Sequence, residues 1–269
     1  MTPDAVADVA TPDAPKVVID GVAFDALTEP EVVARVLDAL DAGRGGWIIT
    51  ANLDIVLRAR RDTQFRGWLG EADVVTADGM PIIWASRLQG TPLPQRVAGS
   101  AMVWSLAEQA AAKGRSLFLL GGMPGAAEGA ATVLRKRYPT LRIVGTYCPP
   151  MGFEHDAREM TAIRDRLTAT QPDIVYVALG CPKQEALIRT LRGQGVLPAA
   201  WWIGVGISLS FICGQVQRAP RWMQKLGLEW VHRLAQEPGR LARRYLIDGI
   251  PFALAMLTRA TLRRGRASG

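Results

Sequence analysis

The sequence predicts an α/β fold: a Rossmann-like, doubly wound, mostly parallel sheet that carries a basic helical appendage at its C-terminal end. Between Val17 and Val205, short apolar β-branched runs alternate with longer stretches of helical periodicity, the pattern of repeated strand–helix units. Runs such as IVYVAL (174–179) and LFLL (117–120) contain no polar alternation, so they read as strands covered on both faces, as in a parallel sheet under two helix layers. The charge is also uneven. Of the 32 Lys and Arg, eleven lie between Gln215 and Gly269 with only three acids beside them, so the formal +7 is a property of the tail and the rest is close to neutral.

Taken in order, residues 1–15 are Ala, Pro and Asp without a large apolar cluster and read as a disordered lead-in. Strands are expected at Val17–Ile19, Val22–Phe24, Trp47–Thr50, Val74–Thr76, Leu117–Leu120, Ile143–Thr146, Ile174–Ala178 and Trp201–Val205. Helices are expected at Pro30–Ala42, Asp54–Leu69, Ser100–Lys113, Ala126–Tyr138, Ala157–Thr170 and Lys183–Gly193. The division that follows is a catalytic α/β domain over 16–214 and an appendage over 215–269.

Composition narrows the chemistry. Cys148, Cys181 and Cys213 are far apart and form no C-x-x-C pair, and His155 and His232 have no second ligand at metal-site spacing, so neither a disulfide framework nor a zinc site is expected. No Asp-x-Asp pair is present, which removes the simplest carboxylate clamp for a metal-bridged diphosphate; no metal and no cofactor are expected. The lead-in has neither the basic start nor the apolar stretch of a secretory signal, and no run of about 18 apolar residues occurs, so cytoplasmic residence is expected.

In a doubly wound sheet, ligands bind beyond the C-terminal strand ends, and the polar and small residues fall there. Asp78, between Ala77 and Gly79, follows VVT; a carboxylate at a strand tip between small residues can take a proton from a sugar hydroxyl, and it serves equally well as the N-cap of a helix starting near Met80. Thr50-Ala51-Asn52 ends another strand and Tyr147 a third. Gly121-Gly122 before Met-Pro-Gly and a helix has the form of a phosphate-binding turn or of a plain β–α turn, without the full G-x-G-x-x-G fingerprint of a dinucleotide site. Gly180-Cys181-Pro182-Lys183-Gln184-Glu185 opens a helix at the crevice, with Gln184 able to hydrogen-bond a sugar or base and Glu185 suited to the helix dipole. Arg96 precedes the helix near Ser100, where it can pair bidentately with a phosphate or lie exposed at the surface.

These segments, in this order, resemble the WecG/TagA/CpsF family of glycosyltransferases. The resemblance is carried by TAN (50–52), TADGM (76–80), RVAG (96–99), LGCPKQE (179–185), IGVG (203–206), RAPRWMQKLGLEW (218–230) and EPGRLARRYL (237–246), and covers roughly Val17 to Leu246. It implies an inverting, metal-independent enzyme that moves a sugar from a UDP-sugar donor to a polyprenyl-diphosphate-linked sugar acceptor. By motif it places the catalytic base on Asp78 and the active-site Thr, Asn, Arg and Gln on Thr50, Asn52, Arg96 and Gln184; from their position after the strands, Gly180, Lys183, Gly121, Gly122 and Tyr147 are expected to be further substrate contacts along the same edge. Two carboxylates that many members carry are replaced here by Ala101 and Ser210, which leaves the identity of the sugar open.

The tail combines Arg218, Arg221, Lys225, Arg233, Arg240, Arg243 and Arg244 with Trp222, Trp230 and Tyr245, the composition of an interfacial helix on an anionic leaflet. Its apolar stretch Leu246–Leu257 is interrupted by Asp248 and Pro251 and reads as too short to span a bilayer, so a peripheral position at the inner leaflet of the cytoplasmic membrane is expected. The resemblance adds that the appendage closes over the site and brings arginines, first Arg218 and Arg221, to the donor diphosphate. Its exposed apolar surface also suits a homo-oligomer. A nicotinamide-dependent oxidoreductase and a non-catalytic basic adaptor are the competing readings; the incomplete glycine fingerprint opposes the first and the polar crevice opposes the second. No nucleic-acid partner is expected, because no sheet face interleaves aromatic and basic residues.

Overall fold

All eight apolar runs form strands: β1 Lys16–Ile19, β2 Val22–Asp25, β3 Gly46–Ala51, β4 Val74–Ala77, β5 Ser116–Gly121, β6 Arg142–Tyr147, β7 Ile174–Ala178 and β8 Trp201–Gly204. The structure, a computed structural model, describes residues 14–267; the side chains of Arg221, Lys225 and 265–267 lie outside that description, as does the lead-in up to residue 13. β3 to β8 make one parallel sheet in the order β4-β3-β8-β7-β5-β6, as the unbroken apolar runs predict. β1 and β2 form a separate antiparallel hairpin. The hairpin protects the sheet edge: the buried Asp25 carboxylate accepts the Val75 N–H at 2.7 Å.

Two helix layers cover the sheet. On one face pack α2 (Leu53–Arg61), α3 (Thr63–Gly70), α7 (Ala157–Thr170) and α8 (Lys183–Gly193), burying residues such as Ile55, Phe65, Ile163 and Ile188. On the other pack α1 (Glu29–Asp41), α5 (Gly99–Ala112), α6 (Ala126–Arg137) and α9 (Ser208–Ile212), through Val36, Leu106, Leu134 and Leu209. α4 (Met80–Leu88) follows β4 and contacts β1. The single helix expected over Asp54–Leu69 is two helices. Asp62 ends α2 with an extended backbone and caps α3, its carboxylate accepting the Phe65 N–H at 3.0 Å.

The layer assignment shapes the functional edge. From β3 through β8, β7 and β5 to β6, the connection leaving each strand passes to the opposite face from that of its neighbour: α2, α9, α8, α6, then α7. Each neighbouring pair is therefore a point where the chain parts, and the C-terminal strand ends at such points are where an α/β sheet forms its ligand groove.

The tail contributes α10 (Arg221–Lys225), α11 (Glu229–Gln236), α12 (Pro238–Ala242) and α13 (Ile250–Ala267). α12 runs through a π-helical turn at Arg243–Gly249 into α13, so Pro238–Arg264 is one helix of 27 residues. This corrects the expectation of a short, interrupted segment. The Ile250 N–H reaches back to Tyr245 O across a widened turn, and Pro251, which has no N–H to donate, follows that turn without breaking the helix. By length and composition alone the helix suffices to cross a bilayer. Here it lies along the protein: Phe252, Met256 and Ala260 are buried, α13 packs on α4, and Arg259 forks onto Asp20 at 2.8 and 3.0 Å.

Candidate active site

β3 and β4 end in register, with Thr50 beside Thr76 and Ala51 beside Ala77. The Asp78 N–H extends the ladder by donating to Ala51 O at 2.9 Å. Asp78 and Asn52 thus leave adjacent strands at one level. The N-cap position of α4 belongs to Gly79, which caps nothing through a side chain, so the Asp78 carboxylate is not spent as a helix cap. It instead accepts the backbone N–H of Gly99. Gly99 is required for this approach: a Cβ there would stand 2.9 Å from Thr50 Oγ1. Thr50 is buried and donates its hydroxyl to Gly204 O at 3.2 Å, tying β3 to β8 below the aspartate.

Around Asp78 stand three charged groups from distant segments. Arg96 arrives on the loop before α5, Arg218 from the start of the tail and Glu229 from the first turn of α11. Glu229 bridges the two arginines, with Oε2 3.5 Å from Arg96 Nη1 and Oε1 3.5 Å from Arg218 Nε. Arg218 also donates through Nη1 to Ser100 O at 3.1 Å, which fixes it against α5. Burial pushes the Asp78 carboxyl up to about 6; Arg96 works against this, Glu229 adds to it, and the Gly99 amide and Arg218 favour the ionised form. The result is a carboxylate that is ionised near neutral pH and basic enough to accept a proton.

The other sequence candidates are spread along the groove. Asn52 caps α2, its Oδ1 accepting Asp54 N–H and Ile55 N–H at 3.1 Å each, and its amide nitrogen has no partner among the described residues. Gln184 is buried; it donates to Glu185 Oε1 at 2.8 Å and accepts the Gly206 N–H at 3.1 Å, so it holds the loop after β8 against α8. Lys183 pairs with Glu154, and Gly180 turns the chain with φ +74 just ahead of it. Gly121 and Gly122 have a packing reason that the phosphate-turn reading did not include. A Cβ on Gly121 would meet Ala178 O at 2.8 Å and one on Gly122 would meet Ala126 Cβ at 2.8 Å, while the Gly122 N–H is already bonded to Ala178 O at 2.7 Å. Tyr147 ends β6, five strand spacings or ~24 Å from β4. Its hydroxyl donates to Glu159 at 2.5 Å and its ring lies under Arg166. Of the tail arginines, Arg218 reaches the Asp78 cluster; the Arg221 side chain falls outside the described structure.

A cavity of about 600 Å³ opens farther along the groove. Met123 and Ile207 line it from the loops after β5 and β8, Gln215 and Val216 from the start of the tail, and Gln236, Glu237 and Arg240 from α11 and α12. Its size suits a small organic ligand. Among the described residues no three His, Cys, Asp or Glu gather in a way that could hold a metal ion.

A strand-tip carboxylate flanked by guanidinium groups, on a groove roofed by a basic tail, is the arrangement that the sequence resemblance implies, and a sequence model of the glycosyl transferase WecG/TagA/CpsF family matches residues 17–266. The chain belongs to the WecG/TagA/CpsF family of glycosyltransferases. Two relatives carry the name N-acetylglucosaminyldiphosphoundecaprenol N-acetyl-beta-D-mannosaminyltransferase. The one from Bacillus spizizenii is 33% identical over 204 residues, 76% of each chain. The one from Bacillus subtilis is 33% identical over 218 residues, 81% of each chain. Membership decides against the oxidoreductase and adaptor readings, and the protein is a glycosyltransferase.

Two parts of this glycosyltransferase's cluster lie in segments that carry the resemblance, RVAG and RAPRWMQKLGLEW, but nothing in the sequence gave either a place beside Asp78. Glu229 was one acid in a basic tail, 151 residues from Asp78, and the Gly99 amide was one glycine in a loop. The Asp78 environment predicts a pH profile. If Asp78 acts while ionised, kcat/KM falls about tenfold per unit as pH drops below about 6 and is flat above it until another group titrates. Initial rates between pH 4.5 and 8.5 check this; a limb near 4 would mean that the base is a solvated carboxylate.

Proposed function

We propose that the enzyme moves a hexose or N-acetylhexosamine from a UDP-sugar to a polyprenyl-diphosphate-linked saccharide in exopolysaccharide or other cell-surface polymer synthesis, with inversion and without a metal ion. The acceptor class follows from the relatives, whose names give N-acetylglucosaminyldiphosphoundecaprenol as acceptor and N-acetylmannosamine as the sugar transferred. The observation that carries the mechanism is Asp78, held near pKa 6 between Arg96 and Arg218. Asp78 takes the proton of the acceptor hydroxyl as that oxygen attacks the anomeric carbon from the face opposite the diphosphate. The bond from the anomeric carbon to the diphosphate oxygen breaks, its electron pair leaves with UDP, and Arg96 and Arg218 meet the charge that develops there. Asn52 offers its free amide to a sugar oxygen beside the reacting centre. Gln184 acts through the Gly206 loop it holds. The nucleoside runs along the groove toward the cavity at Met123 and Gln236.

The test is a panel of UDP-sugars incubated with a short-chain polyprenyl-diphosphate-linked N-acetylglucosamine, with and without EDTA. Transfer from at least one UDP-sugar, undiminished by EDTA, is expected; transfer that needs a divalent cation, or none from any UDP-sugar, overturns the proposal. Ala101 and Ser210 bear on which donor is used, since the Ser210 hydroxyl is buried without a hydrogen-bond partner where many family members have a carboxylate.

Such an acceptor resides in a membrane, and the tail supports an interfacial rather than a spanning mode. While α13 is docked through Phe252, Met256 and the Arg259–Asp20 fork, one side of it is committed to the protein. The opposite side exposes Ile247 (67%), Leu254 (62%) and Leu262 (64%), and elsewhere in the tail Trp222 (58%) and Leu226 (59%) are also exposed. The tail cations do not all serve the membrane: Arg218 faces Glu229, Arg233 pairs with Glu237 and Arg244 with Asp54, because these side chains latch the tail to itself and to α2. Ile247→Glu combined with Leu254→Glu is expected to lower sedimentation with anionic lipid vesicles at least tenfold, the loss of two buried aliphatic side chains costing about 3 kcal/mol. Unchanged sedimentation would place the membrane contact elsewhere.

A further inference from the structure

We propose that Glu229 is an internal stand-in for the donor diphosphate: its carboxylate holds Arg96 and Arg218 together before the donor binds and is displaced from between them by the nucleotide. The inference rests on the donor-site reading above and assigns a role to an acid on the tail itself. Glu229 presents one oxygen to each guanidinium, the two-oxygen, negatively charged arrangement that a diphosphate also presents. Both contacts are 3.5 Å, longer than the 2.7–2.9 Å of a well-made charge-assisted hydrogen bond. Arg218 Nε is buried and donates no hydrogen bond, so one donor of the pair is left for an acceptor that fits better.

Charge then requires an exchange. Asp78 and Glu229 already balance Arg96 and Arg218, and a diphosphate added beside both carboxylates would leave the two cations facing a large excess of negative charge. Asp78 is fixed by the sheet edge and the Gly99 amide. Glu229 is not fixed in that way. α11 has no buried residue, and Gly227, with φ +75, sits two residues before Glu229 at the turn from α10. Withdrawing Glu229 therefore moves no fully buried side chain of α11, at the expense only of half-buried contacts such as Trp230 on Tyr245, and the tail senses donor occupancy through the arginine pair.

Isothermal titration with UDP tests this on the full-length enzyme, using wild type, Glu229→Gln, Glu229→Ala and Glu229→Asp, with melting curves to confirm folding. Removing the competing carboxylate is expected to tighten UDP binding about fivefold in both neutral variants, the worth of a partly exposed ion pair. Glu229→Asp, which keeps the charge, should stay within about twofold of wild type. A residue that merely supports the site would give weaker binding when removed, so unchanged or weaker UDP binding by the folded neutral variants overturns the inference while leaving the donor site intact. A folded wild type that binds no UDP would overturn the donor-site reading itself.

Discussion

Asp78→Asn is expected to lower kcat by about 10²- to 10⁴-fold, the usual contribution of a positioned general base, while UDP affinity stays the same or tightens, because the proposed site then loses an anion beside the diphosphate. The substitution is nearly isosteric, and the Asn oxygen can still accept the Gly99 N–H, so the loss reports chemistry and not collapse of the loop. Stability supplies a second readout of opposite sign. The folded-state pKa of Asp78 is raised from 3.8 to about 6. Below pH 4 the carboxyl is protonated both folded and unfolded, and its burial costs nothing through ionisation. As pH rises through 6 the folded protein must carry a desolvated charge, and stability is lost relative to the neutral variant. Asp78→Asn should therefore melt at a higher temperature than wild type at pH 8, with the difference disappearing by pH 4. A variant that is both inactive and less stable at pH 8 would indicate that Asp78 is a structural carboxylate.

Arg96→Ala is expected to reduce kcat/KM by about 10²- to 10³-fold, the loss seen when one pre-placed donor to developing negative charge is removed. Arg96 is the better position for this test than Arg218. It comes from the loop that delivers the Gly99 amide, whereas Arg218 also anchors the tail to Ser100 O. In the proposed mechanism the guanidinium meets the diphosphate in the ground state and more strongly as UDP departs, so the loss should divide between KM and kcat. Arg96→Lys should recover only part, because an ammonium keeps the charge without the planar fork. Steady-state rates at saturating acceptor measure all three enzymes; equal kcat for Arg96→Ala and wild type would remove Arg96 from the transition state.

What the sequence disclosed and what it concealed divide along a physical line. The strands were legible because each is a short apolar run, and those of β3, β4, β5, β7 and β8 are buried at every position; their order along the chain already placed Asp78, Asn52 and the segment of Gln184 after strand ends. Boundaries shifted by a residue or so, where local capping decides, as at Asp62. The α12–α13 helix was misread because Asp248 and Pro251 weigh against helix locally, whereas the π-turn from Arg243 to Gly249 and the packing of Phe252 and Met256 on the body override that preference. The charge of the tail was legible as a sum but not by direction. Whether Arg218 faces lipid, solvent or Glu229 depends on tertiary contacts that leave no periodic trace. Gln184 was expected to face the crevice, whereas its burial and its bond to Gly206 come from the meeting of α8 and the loop after β8, which the sequence does not show.

A crystal structure of the enzyme with UDP and a non-transferable sugar analogue bound tests the central claim most directly. The account predicts the diphosphate between Arg96 and Arg218, Glu229 withdrawn from that position, and the anomeric carbon facing the Asp78 carboxylate across space for one hydroxyl. A nucleotide seated elsewhere on the groove, with Glu229 still bridging the arginines and Asp78 remote from the sugar, would contradict it.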